Sequence, residues 1–365
     1  MTMLKIKPYI LILIYLFSIK ISYSQINKNF RVVGYYAGPM QNIDSFKAEQ
    51  LTHLIFCFCG LKENKLHIKN AEDSASILKM VSLKKRNPAL KIFVSLGGWG
   101  GCETCSDVFN SNIGINEFAK SVKDVADYFK IDGIDLDWEY PVIKGFPGHT
   151  YRKEDAANFT NLVKEIRNVN KPSFEISFAA GGFTSYIDSS IQWKEVIKYV
   201  NFINIMSYDL VHGYSVISGH HTPLYSTAQQ IESTDHAVKM LIKADVPKSM
   251  LVIGGAFYGR YFKIEDGNTV DLYQPCKFSH GFSFKNISDS LSQKNGFEIK
   301  WNNEAQAPYA INNNRRLLAT YDDKKSIALK TKYAKRNKLG GIMFWQLFDD
   351  DFRNGLLETI NNSKQ

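Results

Sequence analysis

The sequence predicts an α/β fold, a (β/α)8 TIM barrel with a small α+β insertion between the seventh strand and the final helix/strand unit. Three observations lead there. Short apolar runs rich in β-branched and aromatic residues recur eight times along the chain, and most of them are separated by amphipathic stretches. The first run is followed by Gly34-Tyr35-Tyr36-Ala37-Gly38-Pro39, a poor match to the glycine-rich phosphate loop that usually marks an open, doubly wound sheet. Strands alternating with helices pair in parallel, and eight such units close a barrel.

The runs are Arg31-Tyr35, His53-Phe58, Lys91-Leu96, Gly133-Asp137, Phe174-Ala179, Phe202-Met206, Leu251-Ala256 and Gly341-Phe344. Between them Asp73-Arg86, Asn116-Phe129, Glu154-Val169, Ala228-Lys243 and Ser326-Arg336 repeat apolar residues at three and four, the helical period. The stretch from the seventh run to the eighth is longer than one helix requires. Its aromatic and Gly/Asn-rich part, about 261–320, reads as a subdomain that follows the C-terminal end of a strand. It should therefore rise on the face where barrels keep their sites, as one wall of a groove.

With 365 residues, 44% of them hydrophobic and 22% charged, and no biased tract, the chain reads as an ordinary globular protein. Its first residues stand apart. Lys5 and Lys7 precede an apolar run from Tyr9 to Ile19, and Ser22-Tyr23-Ser24 offers small residues for cleavage, the pattern of a signal peptide over 1–24. An uncleaved anchor would need roughly 20 apolar residues, and Lys20 cuts the run short. Export is expected, extracellular or periplasmic, with no membrane attachment after cleavage, leaving 25–365 as one domain and a monomer. Removing 1–24 deletes Lys5, Lys7 and Lys20 and lowers the formal charge from +9 to +6. With no basic cluster interleaved with aromatics, a nucleic-acid partner is not expected.

All five cysteines lie beyond the leader, so an exported chain keeps an unpaired thiol. Cys102 and Cys105 flank a short loop and read first as a disulfide staple, then as a redox pair, and last as half a metal site. Cys57 and Cys59 alternate within an apolar run and read as buried thiols.

The informative segment is Asp132-Gly133-Ile134-Asp135-Leu136-Asp137-Trp138-Glu139-Tyr140-Pro141. In an extended strand Asp135, Asp137 and Glu139 share one face, and Ile134, Leu136 and Trp138 share the other. A barrel strand is covered on both sides, so the apolar set should face the helices and the acids the interior. A solvated edge strand would also alternate charges, but the flanking parallel units argue for burial. Neighbouring buried carboxylates cannot all ionise, so at least one pKa should rise. Glu139, nearest the C-terminal end, would then be a general acid at neutral pH. Asp132 has the opposite parity and reads as a structural residue at the strand start. A Mg2+ or Ca2+ site is the other use of such acids, but no second acid cluster supports it, and neither metal nor cofactor is expected.

This segment resembles the D-x-x-D-x-D-x-E signature of glycoside hydrolase family 18, the family of chitinases. Other elements similar to that family follow in order: Gly34-Tyr35-Tyr36, Thr52-His53 with Phe58, Ser95-Leu96-Gly97-Gly98-Trp99, Met206-Ser207-Tyr208-Asp209, Gly219-His220-His221-Thr222-Pro223-Leu224-Tyr225, Phe257-Tyr258-Gly259-Arg260, Tyr321-Asp322-Asp323 and Gly341-Ile342-Met343-Phe344-Trp345. Two features depart from the pattern: Cys57 stands where the family usually has a small residue, and the Cys102–Cys105 loop is not general. The stretch from Tyr261 to Trp301 matches nothing specific.

The resemblance implies a chitinase that cleaves β-1,4 bonds between N-acetylglucosamine units of chitin or chitooligosaccharides. Glu139 would protonate the glycosidic oxygen. The substrate's own acetamide would be the nucleophile, with Asp137 holding its N–H, Asp135 sharing a proton with Asp137, and Tyr208 orienting the acetamide oxygen. Ordinary retaining glycosidases instead use a second carboxylate about 5 Å from the acid, and Asp209 is the only positional rival for that part. Trp345 would floor the pocket, and Tyr35, Phe58, Trp99, Met206 and Asp209 would shape it. Arg260 would reach sugar from the inserted side, with Tyr140 and Tyr258 nearby. Gly97 and Gly98, after Ser95, permit a close backbone approach, and Gly133 belongs to the signature. A chitin-binding lectin on this barrel would be expected to lose the acid. An endo-β-N-acetylglucosaminidase acting on N-glycans would typically carry an amide residue in place of Tyr208 and lack the insertion.

Overall fold

The computed structural model describes residues 30–364, so the proposed leader lies outside the described residues. In chain order the strands are β1 (Arg31–Tyr36), β2 (His53–Lys62), β3 (Lys65–His67), β4 (Lys91–Gly97), β5 (Gly133–Asp137), β6 (Glu175–Gly181) and β7 (Phe202–Met206), followed by β8 (Leu251–Ala256), β9 (Tyr258–Ile264), β10 (Cys276–Ser283), β11 (Glu298–Asn302), β12 (Ala307–Asn312), β13 (Leu317–Tyr321) and β14 (Gly341–Trp345). The barrel runs β1-β14-β8-β7-β6-β5-β4-β2, and β2 pairs back onto β1 to close it. All of these neighbours are parallel, while β3 folds back antiparallel on the end of β2. The predicted eight-stranded barrel is therefore the observed one.

The helices form where the apolar period and a cap coincide. Asn112–Phe129 turns Ile115, Phe118, Ala119, Val122, Ala126 and Phe129 inward. Ser111 starts it by accepting from the Gly114 N–H, and Lys130 ends it at φ 59°. Asp323 caps Lys324–Arg336 through a reciprocal bond with Ser326. The helix expected from Ala228 starts only at Thr234, where Ser233 accepts from His236. Thr227 and Gln230 exchange backbone bonds in a turn instead, a local pairing that the apolar period does not register.

The two faces of β5 divide as its parity requires. Ile134, Leu136 and Trp138 are buried, and the Trp138 ring packs on Phe109 and Phe159 at the helical layer. Asp135 points inward. The stretch 258–321 forms a five-stranded antiparallel sheet in the order β10-β9-β13-β12-β11, with only the short helix Ile287–Ser290 and brief 3-10 turns added. Along β9, Tyr261 and Phe262 enter opposite clusters. Phe262 joins Ile264, Ile311, Leu318 and Val211, while Tyr261 joins Phe297, Ala310, Ala319 and Tyr321. The sheet is thus apolar on both faces, and Val211 ties one face to the segment after β7. Among the described residues no helix is long and apolar enough to cross a membrane.

Candidate active site

Barrel closure gathers polar side chains from four strands around Asp135 on the fifth, β5. Tyr35 Oη and Ser95 Oγ donate to Oδ2, each at 3.0 Å; Ser177 Oγ and Asn204 Nδ2 donate to Oδ1 at 2.6 and 3.1 Å. Asn204 also donates to Tyr35 Oη at 2.9 Å. Register brings this about, because Ser95 on β4 and Ser177 on β6 are both opposite Asp135. Burial raises the Asp135 pKa, and the four donors oppose the rise. They favour the ionised form.

Asp137, two residues on, has the opposite surroundings. It is buried, and its Oδ1 has no hydrogen-bond partner. Burial first, then the charges of Glu139 and Asp135, push its carboxyl well up. Of the two aspartates expected to share a proton, Asp137 is the one that the surroundings favour as its holder. Glu139 lies just past the end of β5. Burial lifts it from 4.5 to about 7, the Tyr140 phenol opposes the rise, and the Asp209 charge adds to it. A carboxyl in that range is protonated near neutrality and can give its proton up.

Asp209 follows β7 in the left-handed region, at φ 55°. Burial alone would raise its pKa, but His221 and Arg260 outweigh it and hold the carboxyl far below the usual range. Arg260 on β9 donates through Nε to Oδ1 and through Nη2 to Oδ2, each at 2.5 Å, and His221 Nδ1 lies 3.5 Å from Oδ1. Arg260, expected to reach sugar, thus gives a two-pronged bond to a protein carboxylate. Tyr208 Oη meets only a weak acceptor, Met343 Sδ at 3.7 Å, which leaves its proton available. Tyr258 stands edge-on to Tyr208, with ring centroids 6.2 Å apart.

The floor is aromatic. Trp345, at the end of β14, stacks on Phe58 with centroids 5.3 Å apart and planes 14° from parallel, and meets Tyr35 at 6.1 Å. Phe58, Tyr140, Tyr208 and Trp345 pack on the barrel-interior cluster that contains Met206, Tyr35 and Cys57. Two glycines make room. A Cβ on Gly98 would lie 2.4 Å from the Phe58 ring, and one on Gly97 would lie 2.2 Å from the Asp137 carbonyl oxygen. Gly133 similarly admits the Phe93 ring. Trp99 is 48% exposed, and Tyr140, Phe146 and Tyr214 surround it at 6.5, 5.6 and 6.3 Å.

Asp132 stays outside this group. It accepts from the Ile92 N–H at 2.8 Å and pairs with Lys84 at 2.6 Å, as suits the start of a strand. Cys102 and Cys105 form a disulfide with Cα atoms 5.3 Å apart, while Cys57, Cys59 and Cys276 are free and buried. Sequence reasoning assigns nothing to Ser177, Asn204, Phe146 or Tyr214, and gives His221 no role of its own. Asn204 has a signal, a lone amide inside the apolar run Phe202–Met206. Phe146 and Tyr214 lie in irregular loops, where no period marks them.

A closed parallel barrel with a protonatable glutamate at the mouth, buried aspartates beneath it and an aromatic floor has the makings of a sugar-cleaving enzyme. The profile of "Glycosyl hydrolases family 18" matches residues 31–350. Chitinase A1 of Niallia circulans is 33% identical over 303 residues, which are 76% of this chain and 43% of that protein. Among solved structures, a family 18 N-acetylglucosaminidase from Paenibacillus barengoltzii superposes with a TM-score of 0.84 at 30% identity, over 92% of this chain and all of that one. A Bacillus thuringiensis chitinase does so with a TM-score of 0.85 at 25% identity, over 92% of this chain and 70% of that one. The chain belongs to glycosyl hydrolases family 18 and is a glycoside hydrolase of the chitinase type.

Proposed function

We propose that this chain hydrolyses β-1,4 bonds between N-acetylglucosamine units of chitin or chitooligosaccharides, with retention and with the substrate's acetamide as nucleophile. The observation that carries the reading is the contrast among the carboxyls at the barrel mouth. Glu139 is raised to about 7, Asp137 Oδ1 is buried without a partner, and Asp209 is tied up by Arg260. Glu139 donates its proton to the departing glycosidic oxygen as the acetamide oxygen closes on the anomeric carbon. The C–O bond to the leaving sugar breaks and an oxazolinium ion forms. Its N–H is held by Asp137, and Tyr208 orients the acetamide oxygen for the attack. Glu139, now ionised, takes a proton from the water that opens the ring. Asp209 is a poor nucleophile while its oxygens face a guanidinium, which supports the substrate-assisted route over an enzyme-bound ester.

The first product should be the β-anomer, and a thiazoline analogue of the cyclic ion should inhibit competitively. An inverted product by NMR, or an ester trapped on Asp209, would refute the route. A second reading, release of single N-acetylglucosamine units, draws support from the full-length likeness to the Paenibacillus N-acetylglucosaminidase. Chitobiose as the main product from chitotetraose supports the first reading, and monosaccharide supports the second. The inserted sheet beside the mouth favours linear chains over a branched N-glycan. Export through cleavage of 1–24 completes the proposal and is consistent with the Cys102–Cys105 disulfide. A secreted sample retaining Met1 by mass spectrometry would contradict it.

A further inference from the structure

Behind the barrel mouth lies an ion pair removed from solvent. Lys330, on the helix Lys324–Arg336, and Asp322, just after β13, are 0% exposed at their side chains, with Nζ and Oδ2 2.6 Å apart. Each partner has further hydrogen bonds. Asp322 Oδ2 also accepts from the Ala256 N–H at 3.0 Å, Oδ1 accepts from Ser326 Oγ at 2.6 Å, and Lys330 Nζ donates to Thr222 Oγ1 at 2.5 Å. A buried ion pair can often be replaced by apolar residues at no loss of stability, so stability alone does not account for it.

What the pair holds is informative. The Thr222 hydroxyl lies 3.1 Å from Asp322 Oδ2 and 3.3 Å from the Ser207 carbonyl oxygen. The His221 carbonyl oxygen accepts from the Leu210 N–H at 3.0 Å, and the His221 N–H donates to Thr320 Oγ1 at 3.0 Å. Ser207 and Leu210 flank Tyr208 and Asp209. The dipeptide His221-Thr222 therefore grips the chain on both sides of these two residues, and Lys330 with Asp322 anchors the grip. The segment has use for one, because Asp209 sits in the left-handed region, where aspartate is better tolerated than most residues but still less so than glycine.

We propose that Lys330 and Asp322 are positioning residues, a buried brace that acts through Thr222 and His221 to hold Tyr208 and Asp209 in their working places. The inference rests on the reading of Glu139, Tyr208 and Asp209 given above. Its pH consequence follows from the groups around the acid. Glu139 shares its surroundings with Asp137 and Tyr140 on its own segment, Tyr186 from the helix after β6, and Tyr208 and Asp209 after β7. Asp209 in turn feels Arg260, His221, His212 and Tyr258. Of the groups facing Glu139 from other elements, Asp209 is the one held ionised, and its charge favours the protonated acid. If Asp209 swings away, Glu139 loses its proton at lower pH.

The test uses the full chain and chitotetraose. Thr222→Val removes the linking hydroxyl at constant shape, and the double variant Asp322→Asn with Lys330→Met removes both charges together. Both should fold, lower kcat about 10-fold or more with KM changed less than threefold, and move the alkaline limb of kcat/KM to lower pH by about half a unit or more. Thr222→Ser should restore the wild-type profile, and Asp209→Asn should move the limb the same way. Wild-type kcat and limb in folded Thr222→Val and in the double variant, alongside a moved limb in Asp209→Asn, would overturn the brace alone. An unmoved limb in Asp209→Asn would overturn the site reading beneath it, and the brace with it.

Discussion

Two sides of the barrel mouth hold carboxyls in opposite states. On the β5 side, Asp137 is buried and Glu139 half-buried beside other acids, and both are raised. On the β7 side, Asp209 is also desolvated, yet Arg260 and His221 keep it ionised. Desolvation pushes up the carboxyls on both sides, so it cannot by itself separate them. The partner does: on one side desolvation meets little opposition and neighbouring acids add to the rise, and on the other a guanidinium with two aligned donors outweighs it. The result is a site that holds a proton donor and a fixed negative charge at the same pH. The fixed charge helps the donor keep its proton.

Removing the donor breaks the comparison most severely. Glu139→Gln preserves shape without a transferable proton, and kcat on chitotetraose should fall by about 100-fold to 10,000-fold while oligosaccharide binding persists. Near-normal turnover by the folded variant would take the acid role away from Glu139. Next comes the other side. Arg260→Gln leaves the half-buried Asp209 without its charged partner, and its carboxyl should rise toward the working range. We expect kcat/KM to drop about 10-fold to 100-fold, with a new acid limb as Asp209 takes up a proton. A pH profile without that limb would show that Arg260 is not what holds Asp209 ionised.

The smallest effect is on stability and sharpens the picture of Glu139. Its folded pKa is raised from 4.5 to about 7, so the fold binds a proton that the unfolded chain has released. The stability tied to that proton is fully present below about 4.5 and is lost as pH rises through about 7. Glu139→Gln should therefore melt with the wild type at pH 4 and be more stable at pH 8 by up to about 3 kcal/mol. Equal melting temperatures at pH 8 would mean that the acid is better solvated than its surroundings suggest.

How far this site is legible in the sequence depends on the range of the signal. The period-two acids of β5 and the outward Ile134, Leu136 and Trp138 are readable because strand alternation is local. The donors around Asp135 are not all readable. Ser177 and Asn204 become its partners only when β5, β6 and β7 take their register around a closed barrel. Arg260 is found by resemblance, but its grip on Asp209 depends on the fold of β9. The start of the helix at Thr234 escapes the apolar period, which begins several residues before Ser233 caps the first turn. The five-stranded order of the insertion, with β9 between β10 and β13, leaves no periodic trace.

The insertion leaves and rejoins the barrel at one doorway. Gly259, near the start of β9, is paired with Tyr321, the last residue of β13. A segment whose entrance and exit are already hydrogen-bonded neighbours adds little strain to its host, whatever its length. Such a unit can change the length of its outer strands only where they do not lean on the segment after β7: the Cys276 N–H donates to the Val216 carbonyl oxygen, and the Leu224 N–H to that of Ala305. The doorway itself is the other part that cannot be exchanged freely. Tyr258 and Arg260 stand in its frame, and any graft that keeps activity must carry these two residues across.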